Sequence, residues 1–585
     1  MNDAPPVDEI AGVIPKPPGT PELTPRALIA GMVVAAIMGA SYPYVVLKLG
    51  FGPNVSVVAA FFGYLALGIF FRDFNRWENN IVQTAGTSAA QTAFMCVILA
   101  AFDLLHQSPK LHYDFAPTRF QSFLWLAAAS ILGLLLAVPL RRHYVVEEKL
   151  TYADGVAAAE TIIVLDSRGP EARNPAIALA VGTVLSGILM FLQQPWGGRL
   201  IPEVVLPTMF GLTAATTGAG FQISLLSIGS GVIIGLRITT SMAIGALLAW
   251  VIAPKFLMAN GIIAAPLRPD ILRWMMWPGV SMIICAGLTA LALKWRALAR
   301  TFTNLSRGAV SSDEFPIRWV FIGVGLATAA LIVLQIWIFA LNWWMPIVSV
   351  ALSLPLMLVG LRVLRETNWG PISQVTNLMQ AIFGALAPGN VTVNIATSGT
   401  TGTIAVQSEA IMQDYKAGHI IGSTPRFLTY SQLMAAPIGA FAVAWMYPLL
   451  RKTYGIGGDG LSSPISQRVA GFAEFLVLGG DAMGRWAGAA AILFGLLGIA
   501  MTVMETRWKK FLPSPTAVGI GMVVPGLVVF TMFIGAILHL FWKRSSPHSA
   551  RSLAIPLASG MIAGEAIVAV IIPLLVAIGV LSVMR

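Results

Sequence analysis

The chain has 585 residues, 57% hydrophobic and only 11% charged, against a usual charged share of roughly 25%. So few charges cannot cover a water-facing surface of this size, which excludes an ordinary soluble protein. The formal net charge of +11 sits in short clusters between apolar runs, as in loops under the positive-inside bias, so no nucleic-acid partner is expected.

The first 25 residues, "MNDAPPVDEIAGVIPKPPGTPELTP", are Pro-rich and polar with no apolar core of a signal peptide, and read as a disordered cytoplasmic tail. Apolar segments follow at 27–49, 54–71, 81–105, 120–140, 174–192, 203–224, 228–253, 274–297, 316–341, 343–364, 425–449, 486–504, 514–541 and 553–582. Most approach or exceed the ~20 residues a helix needs to cross a bilayer. Two further segments, 151–166 and 371–415, are polar for their length and read as broken or re-entrant. The fold class is therefore an all-α polytopic membrane protein of about 14–16 transmembrane or re-entrant helices, because helices satisfy their own backbone groups in lipid. Arg72, Arg76, Arg141, Arg142 and Lys149 fall on one side of the first spans and Lys48, Lys110 and Arg119 on the other. The richer side is assigned to the cytoplasm together with the N terminus. The cluster Lys294, Arg296, Arg300 and Arg307 marks another inside loop.

An internal match suggests two repeated halves, 26–310 and 311–585. "SLLSIGSGVIIGLRITTSMAIGALL" (224–248) aligns without a gap on "SPTAVGIGMVVPGLVVFTMFIGAIL" (514–538), setting Gly229 on Gly519, Gly231 on Gly521 and Met242 on Met532. A fainter match at nearly the same shift sets "RALIAG" (26–31) on "RWVFIG" (318–323). Since both halves start from a basic inside end, parallel halves about an axis along the membrane normal are expected.

Polar residues at membrane depth carry the functional reading. "ENNIVQTAGTSAAQT" (78–92) brings Asn79, Asn80, Gln83, Thr84, Thr87, Ser88, Gln91 and Thr92 into a segment that ends apolar. "APGNVTVNIATSGTTGTIAVQSEAIMQDYKAGH" (387–419) brings Asn390, Asn394, Thr397, Gln407 and others, with Pro388–Gly389 placed to break a helix. One hydroxyl between spans is ordinary helix–helix glue, but two such dense segments, one per half, point to a central polar pathway. Its expected lining is Asn80, Gln83, Thr84, Thr87, Gln91, Asn390, Asn394, Thr397 and Gln407. Acids are the second signal, since an ionised carboxylate at the bilayer centre costs roughly 2.5–3.5 kcal/mol on insertion scales. Glu565, deep in "ASGMIAGEAIVAVIIP", is the first candidate proton carrier, followed by Glu160 and Glu409 near the two polar segments.

Enzyme signals are poor. The six histidines show no metal-ligand spacing, no P-loop is present, and "GSGVIIG" (229–235) lacks dinucleotide-binding spacing. No cofactor and no resident metal are expected.

Five stretches in order resemble the oligopeptide transporter family, on its yellow-stripe-like and prokaryotic side. They are "ENNIVQTAGTSAA" (78–90), "PLRRHYVVEEKLTYADGVAAAE" (139–160), "IMQDYKAGHIIGSTPR" (411–426), "SPTAVGIGMVVP" (514–525) and "ASGMIAGEAI" (558–567). Ala153 stands where the family pattern has proline, and the N-P-G-x-F and K-I-P-P-R motifs of the eukaryotic peptide branch are absent. The resemblance implies proton-coupled uptake of peptides or peptide-like metal chelates. The expected function is secondary active symport of small peptides or peptide-like conjugates with protons, in a multi-pass plasma membrane protein (inner membrane if bacterial). Symport of metal–chelate or siderophore complexes is the alternative. An ion channel or passive pore, and an intramembrane hydrolase, are the other classes weighed. A homodimer is compatible with so large a lipid-facing surface.

Overall fold

The computed structural model describes residues 16–49, 55–71, 73–108, 111, 113–147, 152–166, 170–193, 200–202, 208–209, 212–213, 217–293, 314–367, 372–457, 461–479, 484–508, 512–577 and 580. The expected inside cluster at 294–307, like Arg72, Lys110 and Lys149, lies outside the described residues.

The fold is all-α. The first group of helices is α1 (Pro25–Leu49), α2 (Val55–Phe70), α3 (Arg76–Phe94), α4 (Cys96–His106), α5 (Arg119–Ala137), α6 (Ala153–Asp166) and α7 (Pro170–Gln193). Next come α8 (Leu225–Ile234), α9 (Leu236–Ala246), α10 (Ala253–Ala259) and α11 (Arg268–Leu293). The chain continues through α12 (Ile317–Phe339), α13 (Trp344–Thr367), α14 (Ile372–Leu386), α15 (Val391–Ile421) and α16 (Pro425–Tyr454). It closes with α17 (Pro464–Leu478), α18 (Ala487–Trp508), α19 (Pro515–Val523), α20 (Gly526–Ser545) and α21 (Pro547–Ala577).

Among the described residues, eleven helical stretches are long and apolar enough to cross a membrane, and four shorter apolar helices accompany them. Large side chains such as Phe321, Leu326 and Ile492 stand exposed on α12 and α18, the apolar surface that lipid covers. The expected span at 203–224 is not one helix: Thr208–Met209 pairs antiparallel with Leu212–Thr213. The sequence of that stretch carries Pro207 and Gly211, residue types that disfavour a continuous helix.

Of the expected tail, residues 16–24 are described, and they are held against the bundle. Glu22 is buried and accepts from the Thr424 N–H at 2.8 Å and the Thr424 hydroxyl at 2.5 Å. It pairs as well with Lys16. A carboxylate at the start of α16 meets the unsatisfied N–H groups of a helix N terminus, and this ties the tail down.

The core is built around α15. Helices α1 and α3 run parallel, with Gly31 against Ala85 and Gly39 against Ala89. Helix α15 runs antiparallel to α3, since Ser423 meets Asn80, Asp414 meets Gln83 and Gln407 meets Thr92. Helix α5 runs parallel to α15, from Trp125 on Thr400 to the Gly133 carbonyl on Ser408. Arg26, Arg76 and Arg141 accordingly gather at one end, and Lys48 and Arg119 at the other.

The two segments matched in sequence pack directly on each other. Gly231 lies against Met532, and Gly521 against Met242; Gly245 lies against Val518, and Gly535 against Ile228. Shifting every number by 290 converts the first contact of each pair into the second, which is the signature of a two-fold. As one segment advances from 228 to 245 its partner retreats from 535 to 518, so the helices are antiparallel. The local axis therefore lies across both helices, and the parallel side-by-side placement expected for these segments does not occur. The breaks obey the same shift: α8 ends at Gly235 (φ 84°), and α19 is separated from α20 by Val524 and Pro525. Gly235 takes a backbone conformation that a side chain would strain, and Pro525 supplies no N–H for the ladder.

Candidate functional site

The two polar segments come together as one seam. Helix α3 opens with a capping box, Asn75 accepting from the Glu78 N–H and Glu78 reaching back. Glu78 also binds Arg26 at 2.7 Å, which anchors this end of the helix. After Ala387–Asn390, helix α15 begins with the Asn390 side chain accepting from the Val393 N–H at 3.0 Å. Asn390 is exposed; its observed role is that cap.

Inside the seam, nearly every polar side chain is buried and engaged. Gln83 Nε2 donates to Asp414 Oδ1 at 2.6 Å and to Thr87 Oγ1 at 3.0 Å. Gln432 Nε2, from α16, donates to the other Asp414 oxygen. Gln407 Nε2 donates to the Ser88 carbonyl at 3.0 Å and to Thr92 Oγ1. Asn80 Nδ2 donates to Ser423 Oγ at 2.8 Å. Further along, Asn394 and Gln380 of α14 exchange hydrogen bonds of 2.7 and 3.0 Å. Thr397 turns back to the Val393 carbonyl, the local bond that lets a hydroxyl lie inside an apolar bundle. Gln91 is half-buried.

Satisfaction is incomplete, and the shortfall is concentrated. Among the described residues, Asn79 Oδ1, Asn80 Oδ1, Gln83 Oε1, Thr84 Oγ1, Gln380 Oε1, Gln407 Oε1 and Gln432 Oε1 are buried without a hydrogen-bond partner. Native interiors leave few such atoms, and each costs about 1–3 kcal/mol. They lie on α3, α14, α15 and α16, around the same seam.

The acids fall into three situations. Glu160 is exposed on α6. Glu565 is buried but compensated: Lys48 Nζ lies 2.7 Å away, and Ser224 Oγ (2.9 Å) and the Leu226 N–H (3.1 Å) donate to it. It thereby caps α8 and joins α1, α8 and α21. We expect Glu565→Gln to cost stability, about 3 kcal/mol, because the Lys48 ammonium loses its carboxylate. A melting temperature equal to wild type would remove that structural role. Glu409 is buried and makes no ion pair or hydrogen bond with a described residue. Asp414 is fully buried, held only by amide and hydroxyl groups, with no cation paired to it among the described residues.

Asp414 and its clamp Gln432 were not singled out from the sequence. The available signals were the Gln–Asp pair inside "IMQDYKAGH" and the lone Gln in the apolar run "SQLMAAPIGAFAVAW".

The family profile described as "OPT oligopeptide transporter protein" matches residues 22–576. The chain belongs to the oligopeptide transporter family. The "Iron-phytosiderophore transporter yellow stripe 1" of Zea mays is similar at 25% identity, over 93% of this chain and 89% of its own length. A "Metal-nicotianamine transporter" of Arabidopsis thaliana is 23% identical over 94% and 90%. A "Putative oligopeptide transporter" of Saccharomyces cerevisiae is 23% identical over 96% and 97%. The chain is thus a multi-pass membrane protein of a transporter family, and these named relatives are transporters rather than enzymes. The similarity spans nearly the whole length of each, so the seam between α3 and α15 lies within the shared region.

Proposed function

We propose that this member of the oligopeptide transporter family is a cation-coupled secondary transporter of metal–chelate complexes, with the proton as coupling ion. The observation that carries the transport mechanism is the closed seam. Its amides and hydroxyls are withdrawn from solvent and interlocked across α3, α15 and α16, yet seven buried oxygens wait for partners. A permanently open pore would need those groups facing a continuous wet channel. A carrier needs a barrier that closes, opens and re-forms. When α3 and α15 part, Asn80, Gln83, Thr84, Thr87, Gln91, Asn394, Thr397 and Gln407 become the polar lining that meets the solute.

The choice of metal chelate over free peptide is supported by full-length relatives named as iron-phytosiderophore and metal-nicotianamine transporters. Peptide transport is the second reading, favoured by the yeast relative's name. For coupling, Asp414 fits better than Glu565, because Glu565 already holds its positive partner. An ionised carboxylate cannot stay isolated at depth, and both Asp414 oxygens are already engaged by amides, which leaves room for a proton rather than a bulky cation. Glu409, on the same helix, is a second carrier. The plasma membrane and a cytoplasmic N terminus complete the proposal.

Proteoliposomes given an inward pH gradient provide the test. We expect accumulation of zinc(II)–nicotianamine that collapses with a protonophore, and little accumulation of trialanine. Peptide accumulation without chelate uptake would transfer the assignment to peptides; uptake of neither would end it.

A further inference from the structure

Helix α17 begins at a buried and uncapped N terminus. Ser463 precedes it with φ 41° and ψ 58°, a left-handed conformation costly for a residue other than glycine. Its hydroxyl does not cap the helix but donates to Ser466 Oγ at 2.5 Å. Pro464 has no N–H, so the free donors of the first turn belong to the residues after it. Ser462, Ser463 and Ser466 are all buried. The turn is fixed in place by the Ser463 N–H on the Leu47 carbonyl (2.7 Å), the Ser462 hydroxyl on the Lys48 carbonyl (3.0 Å) and Gln467 Nε2 on the Ser462 carbonyl (2.6 Å).

One turn in stands Arg468, only 4% exposed. Among the described residues its guanidinium makes no ion pair and no hydrogen bond, and its Nε is buried without a partner. Helical side chains lean toward the N terminus, a direction that from position 468 leads back to the uncapped turn. A buried, unpaired cation is among the costliest features a fold can carry. Here it coincides with the positive end of a 15-residue helix, which adds to rather than offsets the charge.

We propose that Arg468 and the first turn of α17 form an anion site that takes a carboxylate group of the transported solute. The planar guanidinium suits a carboxylate bidentately, and backbone N–H groups at a helix start bind the same group. The next residue links the site to the polar seam: the Val469 carbonyl accepts from Gln380 Nε2 at 2.9 Å, and Gln380 holds Asn394. This deepens the transport reading by naming the chemistry of the substrate. An amino-carboxylate metal chelate and a peptide C terminus both supply the required group.

The test uses the purified full-length protein in nanodiscs, with thermal melting and ligand-induced protection as readouts. The probes are zinc(II)–nicotianamine, trialanine and trialanine amide. In the wild type we expect protection by a carboxylate-bearing probe and none by the amide. Arg468→Gln should weaken that binding at least tenfold, and Arg468→Lys should recover part of it. Without ligand, Arg468→Gln should melt at or above the wild-type temperature, because an unpaired buried charge has been removed. A lower melting point with unchanged affinity would mean that the chain supplies its own counter-charge, and would overturn the site. So would equal binding by wild type and Arg468→Gln, or protection of the wild type by neither carboxylate probe. If trialanine binds in an Arg468-dependent manner while the chelate does not, the anion site stands and the chelate reading falls.

Discussion

Asp414→Asn is expected to abolish accumulation of substrate driven by a pH gradient while leaving substrate-for-substrate exchange within about threefold of wild type. Asparagine keeps the size of the side chain and an acceptor oxygen for Gln83 or Gln432, so the three-helix clamp largely survives. What it removes is the ability to take up and release a proton. A coupled carrier must bind its driving ion on one side and lose it on the other, and a buried carboxyl with alternating hydration does this. Charged and titratable groups stand on each of the surrounding elements. Glu78 of α3 is paired with Arg26, and Arg141, after α5, is paired with Glu314. Helix α6 contributes Asp154 and Glu160, and α15 itself contributes Glu409, Tyr415 and Lys416. The Tyr415 hydroxyl shares a hydrogen bond with Thr429 of α16 at 2.6 Å. None of these forms an ion pair with Asp414. Exchange needs only alternation of the loaded carrier, so its survival separates lost coupling from lost folding. Should Asp414→Asn accumulate substrate as wild type does, the coupling group is Glu409 or the driving ion binds elsewhere. Glu409→Gln in the same assay decides between these.

The second large effect concerns the crossed pair of broken helices. A methyl group added to Gly231 would overlap the Met532 carbonyl oxygen, and one added to Gly521 would overlap the Met242 carbonyl oxygen. Backbone cannot rotate away as a flexible side chain can. Each Gly→Ala change must therefore spread the helices and forfeit their contact, a loss on the order of 3 kcal/mol. Because the two contacts are equivalents under the 290-residue shift, we expect the two variants to lose stability by similar amounts. Scanning fluorimetry of the detergent-solubilised protein measures this, with Gly325→Ala as the control, since nothing lies within 4 Å of an added methyl there. Toleration of both core substitutions would refute the close backbone approach. One damaged and one tolerated would refute the two-fold, and with it our inference that 26–310 and 311–585 are duplicated halves.

The sequence by itself determined the solvent, the class and the break at Pro388–Gly389, but not those at Gly235 and Val524–Pro525, which it read as lying inside single spans. A low share of charge and recurrent apolar runs leave no alternative to a helical bundle in lipid. The Pro388–Gly389 interruption separates α14 from α15 because such residues end helices in any setting. The polar density of 78–92 and 387–419 was visible because hydrogen-bonding groups are conspicuous against an apolar background, and the 290-residue match was visible because glycines recur at close packing points. Only the tertiary structure decided which groups remain without partners. Glu565 looked the most isolated acid along the chain, yet its counter-charge is Lys48, 517 residues away. Asp414 looked ordinary beside Lys416, yet among the described residues its carboxyl group is met by amides and hydroxyls and by no cation. Arg468 carried no local signal, and the only one for Gln432 was its place as the lone amide in an apolar run. The direction of the repeat was hidden in the same way, since a sequence match gives correspondence but not whether two helices meet head-to-head or head-to-tail. Periodicity and composition are local properties of a chain, whereas compensation of a buried charge depends on which distant side chain reaches it.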